Sequence, residues 1–71
     1  MRAEPLSLDA LRALARPMTV GEVAAQLGVS VDTVYDGVRS GRFPLIPIRL
    51  GRLVRFRPRD VVRLIEGDDA R

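Results

Sequence analysis

With 71 residues the chain is one small domain, able to bury only about 60% of the surface its extended form exposes. It has no Cys and no His, which removes disulfides, thiolate nucleophiles, the usual zinc ligands and the commonest general base, so we expect neither catalysis nor a metal nor a cofactor. The net charge of +3 hides an uneven distribution: all twelve basic residues are Arg, and six fall between Arg39 and Arg57.

Arginine offers a planar fork matched to phosphate oxygens and guanine edges, where lysine is a mobile point charge. A bias toward GC-rich codons accounts equally well for the missing lysines, but not for the clustering. No apolar stretch approaches the ~20 residues that span a bilayer, and no charged-then-apolar leader opens the sequence. A soluble, cytoplasmic protein is the expectation.

Residues 1–17 read as an N-terminal extension with a short helix, started by Ser7 or Asp9 and running through Leu8, Leu11, Leu14 and Ala15 until Pro17 breaks it. Its leucine stripe suits packing onto the body; self-association is the sharper alternative.

The segment from Thr19 to Gly41 is the most informative. Thr19 and Glu22 form an S/T-x-x-E capping box, so a helix starts here. Val20, Val23, Ala24 and Leu27 then make one apolar stripe. Gly28 follows where a left-handed backbone ends the helix, Val29 plugs the corner, and Ser30 caps a second helix by accepting from an N–H near Asp32 or Thr33. Ala24, four residues before that glycine, is small enough to let the second helix approach. That helix, 31–40, turns Val31, Val34 and Val38 inward and leaves Asp32, Thr33, Asp36 and Arg39 outward, with Tyr35 at the margin and Gly41 as the terminal cap. Two short helices clamped at a tight corner are a helix-turn-helix, which points to DNA.

Phe43-Pro44-Leu45-Ile46-Pro47 cannot be helical and reads as a connector. Ile48-Arg49-Leu50 and Val54-Arg55-Phe56 alternate apolar and basic residues around Gly51-Arg52-Leu53, a hairpin signal. A three-residue loop would place Arg49 opposite Arg55 and Ile48 opposite Phe56, giving one apolar and one all-Arg face; a two-residue loop would put Arg55 opposite Ile48 and mix them. We expect the former, with DNA phosphate relieving the Arg49/Arg55 repulsion; an edge hairpin kept soluble by its charge is the plain alternative. Joined to the two helices the hairpin is a wing, with Arg52 at its tip. Pro58 and Asp60 then open a third helix, whose Val61, Leu64 and Ile65 form a stripe ended by Gly67. The winged domain thus spans 18–67, and 68–71 are expected to be a disordered tail. The expected fold class is mostly α with a small β-hairpin, a winged helix-turn-helix.

S-V-D-T-V-Y, then V-R-S-G-R-F-P, then P-I-R-L-G-R-L-V-R-F resemble, in order and spacing, the recognition helix, proline connector and wing of the excisionases. These recombination directionality factors of phages and plasmids have a winged helix related to the MerR-type DNA-binding domain. The resemblance covers about 18–67. It implies a non-catalytic accessory protein that binds repeated sites beside an attachment site, bends the duplex and directs a cognate integrase toward excision, with cooperative self-assembly on double-stranded DNA and no membrane partner. Carried over by position, Asp32, Thr33 and Arg39 would face the major groove, and the wing arginines the minor groove and phosphates. The full expected DNA-binding set is Ser30, Asp32, Thr33, Tyr35, Asp36, Arg39, Arg42, Arg49, Arg52, Arg55 and Arg57. Two positions depart from the family pattern: Asp36 replaces a basic residue, and Gly37 replaces a large apolar one, with a helix cost of roughly 1 kcal/mol and lost packing. A small transcriptional regulator of a mobile element, and a protein-interaction module using the leucine stripe and the connector, are the competing functions.

Overall fold

A computed structural model of the chain describes residues 4–67; the expected tail at 68–71 lies outside them. Ser7 does cap a first helix, α1 (Leu8–Arg12), accepting from the Ala10 N–H at 3.1 Å. The helix is shorter than expected: Ala13 already serves as its end, so Leu14 and Ala15 fall in the irregular approach to Pro17, whose ring disfavours helix just before it. The leucine stripe is consumed within the molecule. Leu11 is fully buried and Leu8 and Leu14 pack against the core, while α1 lies against the last helix and Arg12 ion-pairs with Glu66 there.

Met18–Thr19 form a two-residue strand, β1, leading directly into α2 (Val20–Leu27). Both halves of the capping box are present: the Thr19 hydroxyl accepts from the Glu22 N–H at 3.1 Å, and Glu22 Oε1 accepts from the Thr19 N–H at 2.9 Å. Arg16 forks onto the same carboxylate at 2.9 and 2.6 Å. Bonding to that guanidinium is the main reason the Glu22 carboxyl is lowered to about 2, against the opposing effect of its partial burial; the same bond raises Arg16. The segment before α1 is tied to α2 as well, because the Gln26 amide both accepts from the Leu6 N–H and donates to the Leu6 carbonyl, each at 2.8 Å.

Gly28 ends α2 at φ +72, and the Val29 N–H returns to the Ala24 carbonyl at 3.0 Å. Ala24 is buried at the corner, as its size required. Helix α3 (Val31–Ser40) begins at Ser30, whose hydroxyl accepts from the Thr33 N–H at 3.1 Å, and packs against α2 chiefly through fully buried Val34, with Val38 half-buried. Two valines depart from expectation. Val29 and Val31 stay about 40% exposed, because the corner and the first turn of α3 lie outside the core that begins at Val34.

Gly37 is the clearest correction. A Cβ there would come within 3.0 Å of the Phe43 ring and 3.2 Å of the Phe43 Cβ, so the expected loss of packing does not arise. The aromatic ring of the connector fills the space instead. Phe43 donates its N–H to the Gly37 carbonyl at 3.1 Å and sets its ring edge-on to Phe56, centroids 5.5 Å apart. Leu45 also enters the core, leaving Ile46 outside.

Strands β2 (Ile48–Leu50) and β3 (Leu53–Phe56) form the hairpin, and β1 joins its far side to give an antiparallel sheet of order β1-β3-β2. The register is the two-residue one: Leu50 opposite Leu53, Arg49 opposite Val54 and Ile48 opposite Arg55. The expected Arg49/Arg55 pairing is therefore absent, and with it the need for an anion to relieve it. Loop chemistry explains the choice. Gly51 alone in the turn has positive φ, at +62, the pattern of a type II′ turn with glycine first. A three-residue loop would have put the left-handed position on Leu53, where a Cβ resists it. The third strand follows from the same register, since Met18 pairs with Phe56 and Thr19 with Arg55.

Pro58 occupies the first turn of α4 (Pro58–Glu66), and Gly67 ends it at φ +65. Its buried residues are Val61 and Val62, whereas Leu64 and Ile65, expected in the stripe, are 37% and 40% exposed. The first turn meets the core and the second runs past it, Leu64 lining a shallow groove with Leu45 and Ile46. One apolar core joins the helices, β1, β3 and the connector: Leu11, Met18, Val20, Val23, Ala24, Val34, Leu45, Phe56, Val61 and Val62.

Candidate nucleic-acid interface

The outward face of α3 follows from its inward one. At 100° per residue, Val34 points to the core, and Asp32, Asp36 and Arg39 project within about 60° of one another on the far side. Tyr35 flanks them, 45% exposed. All the expected residues on this helix and its flanks, Ser30, Asp32, Thr33, Tyr35, Asp36, Arg39 and Arg42, are solvent-exposed.

Several of these polar groups are already engaged. The Ser30 and Thr33 hydroxyls bond each other at 2.8 Å in addition to the cap, and Arg39 ion-pairs with Asp36 one turn back. Asp36 thus holds its own counter-charge. Such i,i+3 surface pairs contribute only about 0.2 to 0.5 kcal/mol, so a base edge or phosphate can displace one partner at small cost. Counted over 31–40, two acids and one Arg leave the helix at −1.

The positive charge lies farther along the chain. Between 37 and 59 there are seven Arg and no acid. Arg52 sits in the exposed hairpin turn and Arg49 is exposed on β2. The alternation of the strands puts Arg49 on the sheet face shared by Val54, Phe56 and Met18, and Arg55 on the opposite face with Ile48, Leu50 and Leu53. The expected all-Arg face is thus divided between the two sides of the sheet. Arg55 is half-buried and donates from Nη1 to the Val54 carbonyl at 3.0 Å.

Arg57 also departs from the wing. As the residue preceding α4, it lines an open groove of about 760 Å3 between that helix and the chain entering β1, together with Arg12, Arg16, Arg59 and Arg63. Arg59 was not among the expected contacts. Its signal was available in the unbroken R-x-R from 57 to 59, which the helix-start reading of Pro58 concealed.

A short helix pair closed at a glycine corner, followed by a hairpin that the preceding β1 extends to a three-stranded sheet, defines a winged helix-turn-helix, a class of DNA-binding domain. The chain belongs to the helix-turn-helix domain family, whose family model matches residues 17–69. DNA is the ligand that this family membership assigns, and such domains are typically non-enzymatic. No curated protein and no solved structure matches the chain. Among the described residues no helix is long and apolar enough to cross a membrane.

Proposed function

We propose that the protein is an excisionase-like architectural factor: it binds repeated sites beside the attachment site of a mobile element, bends the duplex, and directs an integrase toward excision. The observation that supports this reading is the combination of a helix-turn-helix, a proline connector and a hairpin wing, in that order within 18–67, the order in which the sequence resembles excisionases.

In this reading α3 enters the major groove. Asp32 accepts from a cytosine amino group, Thr33 and Tyr35 border the groove, and Arg39, released from Asp36, takes guanine or phosphate. Ser30 holds the start of the helix rather than reading a base. Arg42, Arg49 and Arg55 meet phosphates, Arg52 reaches the minor groove, and Arg57 with Arg59 extends the basic track along the backbone. Monomers assemble side by side on repeats, since α4 carries no heptad seam for a fixed dimer.

A footprint across the attachment region of the host element, combined with deletion of the gene, tests this reading. Repeated protected sites and loss of excision support it. Protection at a promoter with altered transcription and unchanged excision would reject it for a transcriptional regulator on the same fold. Binding that ignores DNA and captures a protein through the connector would reject both.

A further inference from the structure

The register of the hairpin leaves an apolar feature that its charge pattern conceals. Leu50 and Leu53 are the last cross-strand pair before the turn, directly opposite each other on one face of the sheet, and they are 52% and 51% exposed. Single exposed leucines are ordinary. A leucine pair in register at the end of a hairpin whose β2 is an edge strand is different, because exposed edges usually carry charge or proline to discourage association. Here the two side chains flank Gly51-Arg52, with the Ile48/Arg55 pair next on the same face and no acid anywhere between 37 and 59.

We propose that this tip is a minor-groove wedge: the Leu50/Leu53 pair enters the groove beside Arg52 and partly unstacks one base step, kinking the duplex. The inference rests on the reading that the hairpin meets the DNA, and it supplies a physical origin for the bend. The charge pattern selects the occupant. A tip with Arg52 in the turn between two leucines and no acidic residue near it in the chain is complementary to a polyanion with an apolar interior, and the narrow minor groove concentrates negative potential where Arg52 would lie. Apolar side chains wedged between base steps are a general means of bending DNA, and flexible pyrimidine–purine steps yield most easily. The wedge therefore places a TA or CA step at a fixed offset from the bases read by α3.

The competing role of the pair is to hold the hairpin together, which cross-strand apolar pairs also do. A Thr–Thr pair keeps strand propensity and cross-strand bonding while removing the apolar tip, so Leu50→Thr/Leu53→Thr separates the roles. The experiment uses the full chain and a duplex selected from a random pool by wild-type protein, with 2-aminopurine replacing each adenine in turn, and records binding, 2-aminopurine emission and bend angle. Wild type is expected to brighten the probe at one step on the wing side. The double variant is expected to keep affinity within about tenfold, to lose the brightening and to bend less. Bound wild type with no brightening at any step overturns the wedge while leaving DNA binding intact; failure of wild type to select any duplex overturns the DNA reading itself. Should the double variant fail to fold by circular dichroism, Leu50→Met/Leu53→Met, which keeps a long apolar tip, must still brighten the probe, and its failure to do so while bound overturns the proposal.

Discussion

Helix α3 and the hairpin are the two parts of this molecule most exposed to a partner, and they are built on opposite electrostatic plans. The helix carries a net negative charge, pairs its one arginine internally and uses two hydroxyls to close its own cap. The hairpin and its flanks are uniformly basic, with Arg49 and Arg52 exposed and without an ion pair among the described residues. A surface that must discriminate sequences gains from groups with low standing affinity for any phosphate, while one that must hold the duplex gains from unpaired cations. On the proposed reading, α3 then supplies the selectivity and the wing the attraction.

Five substitutions, the last read across a pH titration, sharpen or break that comparison. The largest effect belongs to the residue both regions depend on. Phe56 is fully buried, touches the Phe43 ring that closes α3 and anchors β3 beside β1, so Phe56→Ala is expected to cost about 3 to 5 kcal/mol in denaturant unfolding and to abolish DNA binding with it. Retained binding would show that the wing is positioned independently of the core.

Next in size is Arg39→Ala. It should weaken binding by about 1 to 3 kcal/mol on the specific site with little change on random DNA; equal losses on both would make Arg39 a phosphate contact and erase the contrast with the wing. Arg52→Ala is expected to behave in the opposite manner, lowering affinity for all duplexes and reducing the slope of log K against log salt by about 0.9. Selective loss on one sequence would reverse the assignment. Asp36→Ala frees Arg39 and removes a negative charge from the helix face, and a gain of about threefold on any duplex is expected in electrophoretic titrations. No gain would mean the pair already opens without cost.

The smallest effect is confined to acid pH. Because Arg16 and the Thr19 backbone lower the folded Glu22 carboxyl to about 2 from an ordinary 4.5, its contribution is fully present above pH 4.5 and is lost as pH falls from there through 2. Glu22→Gln should flatten that part of the stability profile while leaving neutral-pH DNA binding unchanged. An unaltered profile would place the acid sensitivity elsewhere.

What was legible in the sequence was local. The caps at Thr19 and Ser30, the glycine ends of α2, α3 and α4, and the small Ala24 at the corner all lie within four residues of the groups they serve, and each stands as read. What was not legible depended on distant partners or on near-equal alternatives. β1 is two residues whose mates lie some 37 positions downstream, too short for any periodic signal. Gly37 reads as a defect until Phe43 folds back over it from a connector with no repeating geometry. The hairpin offered two loop lengths, and the charge pattern favoured the wrong one; the deciding fact was that Leu53 resists the backbone conformation a longer loop demands. That one-residue change moved Leu50 and Leu53 to an exposed face and divided the arginines between the two sides of the sheet.

The central claim, that the arginines after α3 supply the attraction to duplex DNA, is tested most directly by titrating the intact chain onto a random-sequence duplex across a range of salt concentrations. The account predicts a steep linear fall of log K with log salt, by about 0.9 for each phosphate neutralised. A response that stays flat as salt rises would contradict it.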